Sequence, residues 1–152
     1  MELPLNISQM LMGDLGFTPS CVSLWLRIFI GVCFVIHALG KLGIVGNGNM
    51  AKFAGWLNSM GVPMPEVQAR MAMLSEMIGG VFLTLGLLTR PVCLLLTFVM
   101  VIAGLLGHRG SGYLITNNPP GREYTINLAV VLIAILMLGP GSYSLDSLLF
   151  RP

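Results

Sequence analysis

Apolar positions in this chain gather into four runs, at about residues 22–42, 69–88, 91–107 and 124–139, parted by polar and turn-forming stretches. A membrane-spanning helix needs about 17–25 mainly apolar residues, and each run approaches that length. Pro91 suits the first turn of a helix, where its missing N–H would find no partner in any case. Gly139-Pro140-Gly141 ends the last run, since proline cannot continue the hydrogen-bond ladder. The second and third runs are joined by little more than Thr89-Arg90, which makes them antiparallel neighbours. The pattern predicts an all-α integral membrane protein, a bundle of four transmembrane helices. Between the first two runs, Met50, Phe53, Leu57 and Met60 recur at helical spacing with Trp56 at the flank, which predicts a short helix lying in the interface plane. The stretch HRGSGYLITNNPPGRE carries turn residues throughout and predicts a hairpin-like lid or a mobile loop.

Composition strengthens the membrane reading. Charged residues are 9% of the chain, against about 25% in soluble domains, and the mean hydropathy is +0.87. A water-facing surface has too few charges to cover itself. A net charge of +2 without a basic cluster excludes nucleic acid as a partner. Cys21, Cys33 and Cys93 form no CxxC and no zinc-like spacing, so they read as apolar fillers. Residues 1–21 read as an interfacial lead-in held by Leu5, Met10, Leu11 and Phe17, not as a signal peptide, and residues 22–148 as the helical domain.

The polar residues within the runs carry the chemistry, because each costs ~2.5–3.5 kcal/mol at a helix centre. Arg27, Gly31, Phe34, Ala38 and Lys41 share one stripe, and His37 stands one turn before Lys41. The second run offers Ala72, Glu76, Gly79, Gly80 and Leu83; the third Cys93, Thr97, Gly104 and His108; the fourth Glu123, Asn127 and Ala134. Small residues beside charged ones suit close helix packing, so these stripes are expected to face a common axis. Counted from the loops, His37 and Glu76 lie ~9 Å deep at a rise of 1.5 Å per residue. Lys41, His108, Glu123 and Asn127 lie nearer the same surface. His37, Lys41 and Glu76 are thus candidates for a proton or charge relay, and His108, Glu123 and Asn127 for ligand contacts. Arg27, Arg90 and Asp146, at the other end, read as structural. The Glu-x-x-His spacing of di-metal bundles is missing, so no metal is expected. A purely structural Glu76, paired with Lys41 or Arg70, is the competing reading.

The segments RIFIGVCFVIHALGKL, GWLNSMGVPMP, EMIGGVFLTLGLLTRP and GREYTINLAVVLIAILMLGPGSYSLD resemble the DoxX family of four-helix bacterial membrane proteins. The resemblance runs from about Leu24 to Leu148. It departs where the family often has His-Gly, since Ala38 and Leu39 separate His37 from Gly40. It implies a setting near quinone-linked redox chemistry in a bacterial inner (cytoplasmic) membrane, with cytoplasmic termini. The positive-inside rule taken literally points the other way, with Lys41, Lys52, Arg70, Arg109 and Arg122 on the loop side.

Three functions are therefore open. The first is a membrane subunit of a redox system, binding a quinone or similar headgroup in one leaflet. The second is a non-catalytic accessory or assembly subunit of a larger membrane complex. The third is a small transporter. The sequence has no haem motif, iron–sulfur cysteine set or dinucleotide fingerprint. On the first reading, electrons come from a second membrane or cofactor-bearing redox protein. Membrane lipids are the other expected partner, and no covalent cofactor is expected.

Overall fold

In the computed structural model, residues 17–150 are described, and all regular structure among them is helical. Residues 1–16 of the expected lead-in, with Leu5, Met10 and Leu11, lie outside the described residues. The remainder of that segment belongs largely to the first helix, α1 (Pro19–Leu42). Thr18 caps it by accepting from the Cys21 N–H at 3.3 Å, and Pro19 occupies the first turn. The helix therefore begins three residues before the apolar run. Gly43, left-handed at φ 79°, ends it.

The short helix α2 (Met50–Ser59) is capped by Asn49, whose side chain accepts from the Lys52 N–H at 2.8 Å. Ala54 and Leu57 are buried in a small cluster with Ala69, and Met50, Phe53 and Met60 pack around it. These include the stripe read from the sequence. Helix α3 (Pro65–Leu85) ends at left-handed Gly86. Helix α4 (Thr89–Ile102) continues into a π-helical turn at Ala103–Gly107. Helix α5 (Glu123–Leu138) and the short α6 (Leu145–Leu149) complete the chain. By length and composition, Pro19–Leu42 and Thr89–Gly107 are apolar enough to cross a membrane, and Glu123–Leu138 is a shorter apolar helix. Helix α3 carries Glu66, Arg70 and Glu76 and does not pass on these criteria.

The long helices close a ring: α1 on α3, α3 on α4, α4 on α5 and α5 on α1, with α1 and α3 packed most extensively. Two glycines permit that close approach. A Cβ at Gly80 would stand 2.7 Å from the Gly31 carbonyl oxygen and 3.0 Å from the Val35 nitrogen. Within the ring, Phe34, Leu83, Cys93, Leu96, Leu132 and Ile135 form a fully buried apolar core. The outer faces carry exposed Trp25, Phe29, Leu74, Ile78, Leu94, Phe98 and Val130. A protein exposing so much contiguous apolar surface needs an apolar surrounding.

The stripes on α1 and α3 face inward over most of their length, with Arg27, Gly31, Phe34 and Ala38, and Glu76, Gly79, Gly80 and Leu83, buried; Lys41 and Ala72 are half-buried, and His37, expected on the inward face, is exposed. The stripe on α5 does not face inward. Thr125, Leu128, Leu132 and Ile135 are buried there, while Asn127 and Ala134 are exposed. With almost every α5 position apolar, the sequence held no contrast from which to fix that helix's rotation.

Candidate functional site

The loop-side end of the ring brings α1, α2, α3 and α5 together around polar side chains. Lys41, in the last turn of α1, forms an ion pair with the Glu76 carboxylate on α3. Glu76 is 4% exposed, so this is an interior carboxylate with a counter-charge supplied by the neighbouring helix. Arg70, the other candidate partner, points outward. Phe53 of α2 lies beneath the Lys41 ammonium, 4.8 Å from nitrogen to ring centroid, and adds a cation–π attraction that strengthens where water is scarce.

One turn before Lys41, His37 Nε2 lies 2.5 Å from the phenol oxygen of Tyr124, in the first turn of α5. The same oxygen lies 3.1 Å from Cys33 Sγ. Cys33 and His37 are four residues apart on one face of α1, so a single phenol spans both. Tyr124 was not singled out from the sequence, and Cys33, expected as an apolar filler, meets a hydroxyl instead. The signals were present: a tyrosine at a helix end within apolar surroundings needs a partner for its hydroxyl, and Cys33 shares the His37 face.

His37 and Lys41 both line an open groove of about 500 Å³, together with Ile36, Val45, Asn49, Lys52 and Phe53. Its apolar wall is formed by Ile36, Val45 and Phe53, and its polar side chains gather at the loop end. Ile36 and Val45 in its wall are exposed, as are the loop-end residues Gly48, Asn49 and Lys52, so the groove lies open at the surface of the bundle. Lys52 donates to the Asn47 carbonyl at 3.1 Å and holds the groove's rim.

The structure places the other candidates elsewhere. His108 Nδ1 meets the Pro120 carbonyl at 2.7 Å, and the Glu123 carboxylate accepts from the Ile115 N–H at 3.0 Å. Both hold the loop between α4 and α5, which is hairpin-like: Glu123 N–H donates to the Tyr113 carbonyl at 2.8 Å and Gly121 N–H to the Leu114 carbonyl at 2.9 Å. No hydrogen bond among the described residues joins His108 or Glu123 to His37, Lys41 or Glu76. Asn127 faces outward and lies off the groove. The Trp56 ring fixes α2 to the π turn of α4, since a Cβ at Gly107 would come within 2.6 Å of it.

At the opposite end, Arg27 is fully buried and donates through Nη2 to the Tyr143 carbonyl at 2.6 Å. The Asp146 carboxylate accepts from the N–H groups of Leu88 and Thr89 at 2.6 and 2.8 Å, capping α4 from a distant part of the chain. Arg90 is exposed, with its guanidinium beside Gly139. All three cysteines are free. Among the described residues, no three His, Cys, Asp or Glu side chains are grouped to hold a metal.

A ring of apolar helices enclosing a few paired charges is the build of a small membrane protein, and the family comparison agrees. The DoxX family model matches residues 22–109, and the chain belongs to the DoxX family. It is also similar to the inner membrane protein YphA of Escherichia coli (strain K12), with 26% identity over 137 residues, covering 88% of this chain and 94% of that protein. No solved structure matches.

Proposed function

We propose that this protein is a four-span subunit of a bacterial inner membrane, whose loop-side groove binds the headgroup of a quinone or similar tailed carbonyl compound. The similarity to an inner membrane protein supports the location. The pairing of Glu76 with Lys41 supports α3 as the fourth span, since it offsets the helix's most deeply placed charge.

The observation that carries the ligand reading is His37 and Lys41 side by side on an open groove with exposed Ile36 in its wall. A tailed headgroup needs hydrogen-bonding groups at one end and an apolar exit for its tail. Lys41 and His37 beside Ile36, Val45 and Phe53 support that reading. Lys41 brings positive charge to a carbonyl oxygen, His37 brings a hydrogen bond, and Glu76 holds Lys41 in place. A redox partner would supply the electrons, and cytoplasmic termini fit the family reading.

Titration of the purified full chain in nanodiscs with decyl benzoquinone tests this, followed by Trp56 fluorescence. Saturable quenching that is lost in Glu76→Gln, while that variant stays folded, is expected. Native mass spectrometry after gentle extraction tests the partner: a lone monomer that reduces quinone by itself would sink the subunit reading.

The assembly-subunit reading draws on a different observation: Lys41 and Glu76 satisfy one another, as a purely structural pair would. Full function in a Lys41→Met/Glu76→Leu double variant would favour it. A transporter is disfavoured by the apolar plug of Phe34, Leu83, Leu96, Leu132 and Ile135 across the bundle.

A further inference from the structure

We infer that Tyr124 sets the tautomer of His37, so that the groove binds the oxidised, carbonyl form of its ligand in preference to the reduced, hydroxyl form. The inference rests on the quinone reading above and adds to it a choice between redox states.

The phenol oxygen of Tyr124 has two neighbours, His37 Nε2 at 2.5 Å and Cys33 Sγ at 3.1 Å. It holds one proton. An imidazole nitrogen with a free lone pair is a far better acceptor than a thiol sulfur, and an S–H is a weak donor. The arrangement that satisfies all three groups runs one way: Cys33 S–H donates to the Tyr124 oxygen, and Tyr124 O–H donates to His37 Nε2. The reverse order would turn the phenol proton toward sulfur, the poorest acceptor of the set. With Nε2 accepting, the imidazole's own N–H is at Nδ1. Tyr124 holds the Nε2 edge of the ring, which leaves the Nδ1 edge for a ligand in the groove that His37 lines.

The groove's remaining chemistry points the same way. Lys41 has three N–H donors, of which Glu76 takes one. No carboxylate is among the residues lining the groove, and the Asn49 side-chain oxygen gives one of its two lone pairs to the Lys52 N–H. Among the side chains that line the groove, donors therefore outnumber acceptors, the remaining acceptors being backbone carbonyls such as those of Gly40, Val45 and Gly48. A quinone carbonyl accepts from such a site directly. A quinol hydroxyl can accept from the same donors, but its own O–H then needs an acceptor that the lining side chains offer only sparingly, and a donor left unsatisfied costs about 1–3 kcal/mol. Tyr124 and Cys33 act on the ligand through His37 and are positioning residues.

Two measurements test this on the full chain in detergent or nanodiscs. Nitrogen NMR of 15N-histidine-labelled protein, with His37 assigned through His37→Gln, distinguishes Nδ1–H from Nε2–H by couplings to the ring carbons. The expected result is Nδ1–H in wild type, loss of that single tautomer in Tyr124→Phe, and its retention in Cys33→Ser, which keeps a donor to the phenol. Binding of decyl benzoquinone and of its hydroquinone, kept reduced under argon, is then compared. Wild type should bind the quinone roughly tenfold tighter, the equivalent of about 1.4 kcal/mol, and Tyr124→Phe should narrow that ratio at least threefold. An Nε2–H tautomer in wild type, equal affinity for the two forms, or an unchanged ratio in Tyr124→Phe overturns the inference. Absence of binding by either form in wild type overturns the quinone reading and the redox preference with it, while the wild-type spectrum still decides the tautomer separately.

Discussion

Arg27 and Asp146 at one end of the bundle and Lys41 and Glu76 at the other are the same kinds of charged residue, partnered in opposite ways. At the terminus end, Arg27 donates to the Tyr143 carbonyl, Asp146 accepts from Leu88 and Thr89 N–H groups, and Ser23 donates to the Gly139 carbonyl at 2.6 Å. Each of these partners is backbone, in or beside a turn. At the loop end, Lys41 pairs with Glu76, and Tyr124 meets both His37 and Cys33, side chain to side chain. Backbone partners leave a side chain little to do except hold a turn. Side-chain partners can exchange, and two of these groups also line a groove. A charge within a membrane protein is therefore not a functional signal by itself.

The sharpest way to break this contrast is to unpair the loop-end charges. Lys41→Met leaves the buried Glu76 carboxylate without a counter-charge and should cost about 3–5 kcal/mol. Adding Glu76→Leu should recover most of that loss while abolishing quinone quenching, as read by thermal unfolding and fluorescence titration of the same samples. A substitution between the two ends supplies a control. Gly80→Leu drives a side chain into the Gly31 carbonyl and should destabilise by about 1–3 kcal/mol, with the loss of folded yield shared by both ends.

Asp146→Ala removes the cap from α4 and should lower stability by about 1 kcal/mol with quinone affinity unchanged. A parallel fall in affinity would mean that the ends are not separable. The smallest effect belongs to Asn127→Ala. On the outward face of α5, it should stay within about 0.5 kcal/mol of wild type and leave binding untouched. Weakened binding in that variant would place α5 in a different rotation.

How far the sequence could be read followed the contrast available in each helix. In α1 and α3, charges and glycines interrupt an apolar background, and most of their buried faces were legible, though His37 is exposed and buried Ser23 and Ala69 were not read. In α5 the background is nearly uniform, and Asn127 misled because a single amide is weak evidence of rotation. Glu123 and His108 were correctly placed near the loop surface, but whether they turn to a ligand or to their own loop depends on backbone positions that no periodicity encodes. Tyr124 and Cys33 escaped because their meeting depends on how closely α5 approaches α1. The cap of α4 by Asp146 is equally nonlocal, spanning 57 residues to Thr89.

The tight crossing of α1 and α3 at Gly31 and Gly80 bears on how the chain enters the bilayer. On the four-span reading, α3 is the span least able to partition by its own apolarity, and α1 precedes it during synthesis. When α3 arrives, Lys41 is already near its final depth, and the glycine contact brings Glu76 up to it. The carboxylate then meets its counter-charge as it leaves water. On that reading, the order of the helices in the chain puts the counter-charge in place before the carboxylate that needs it.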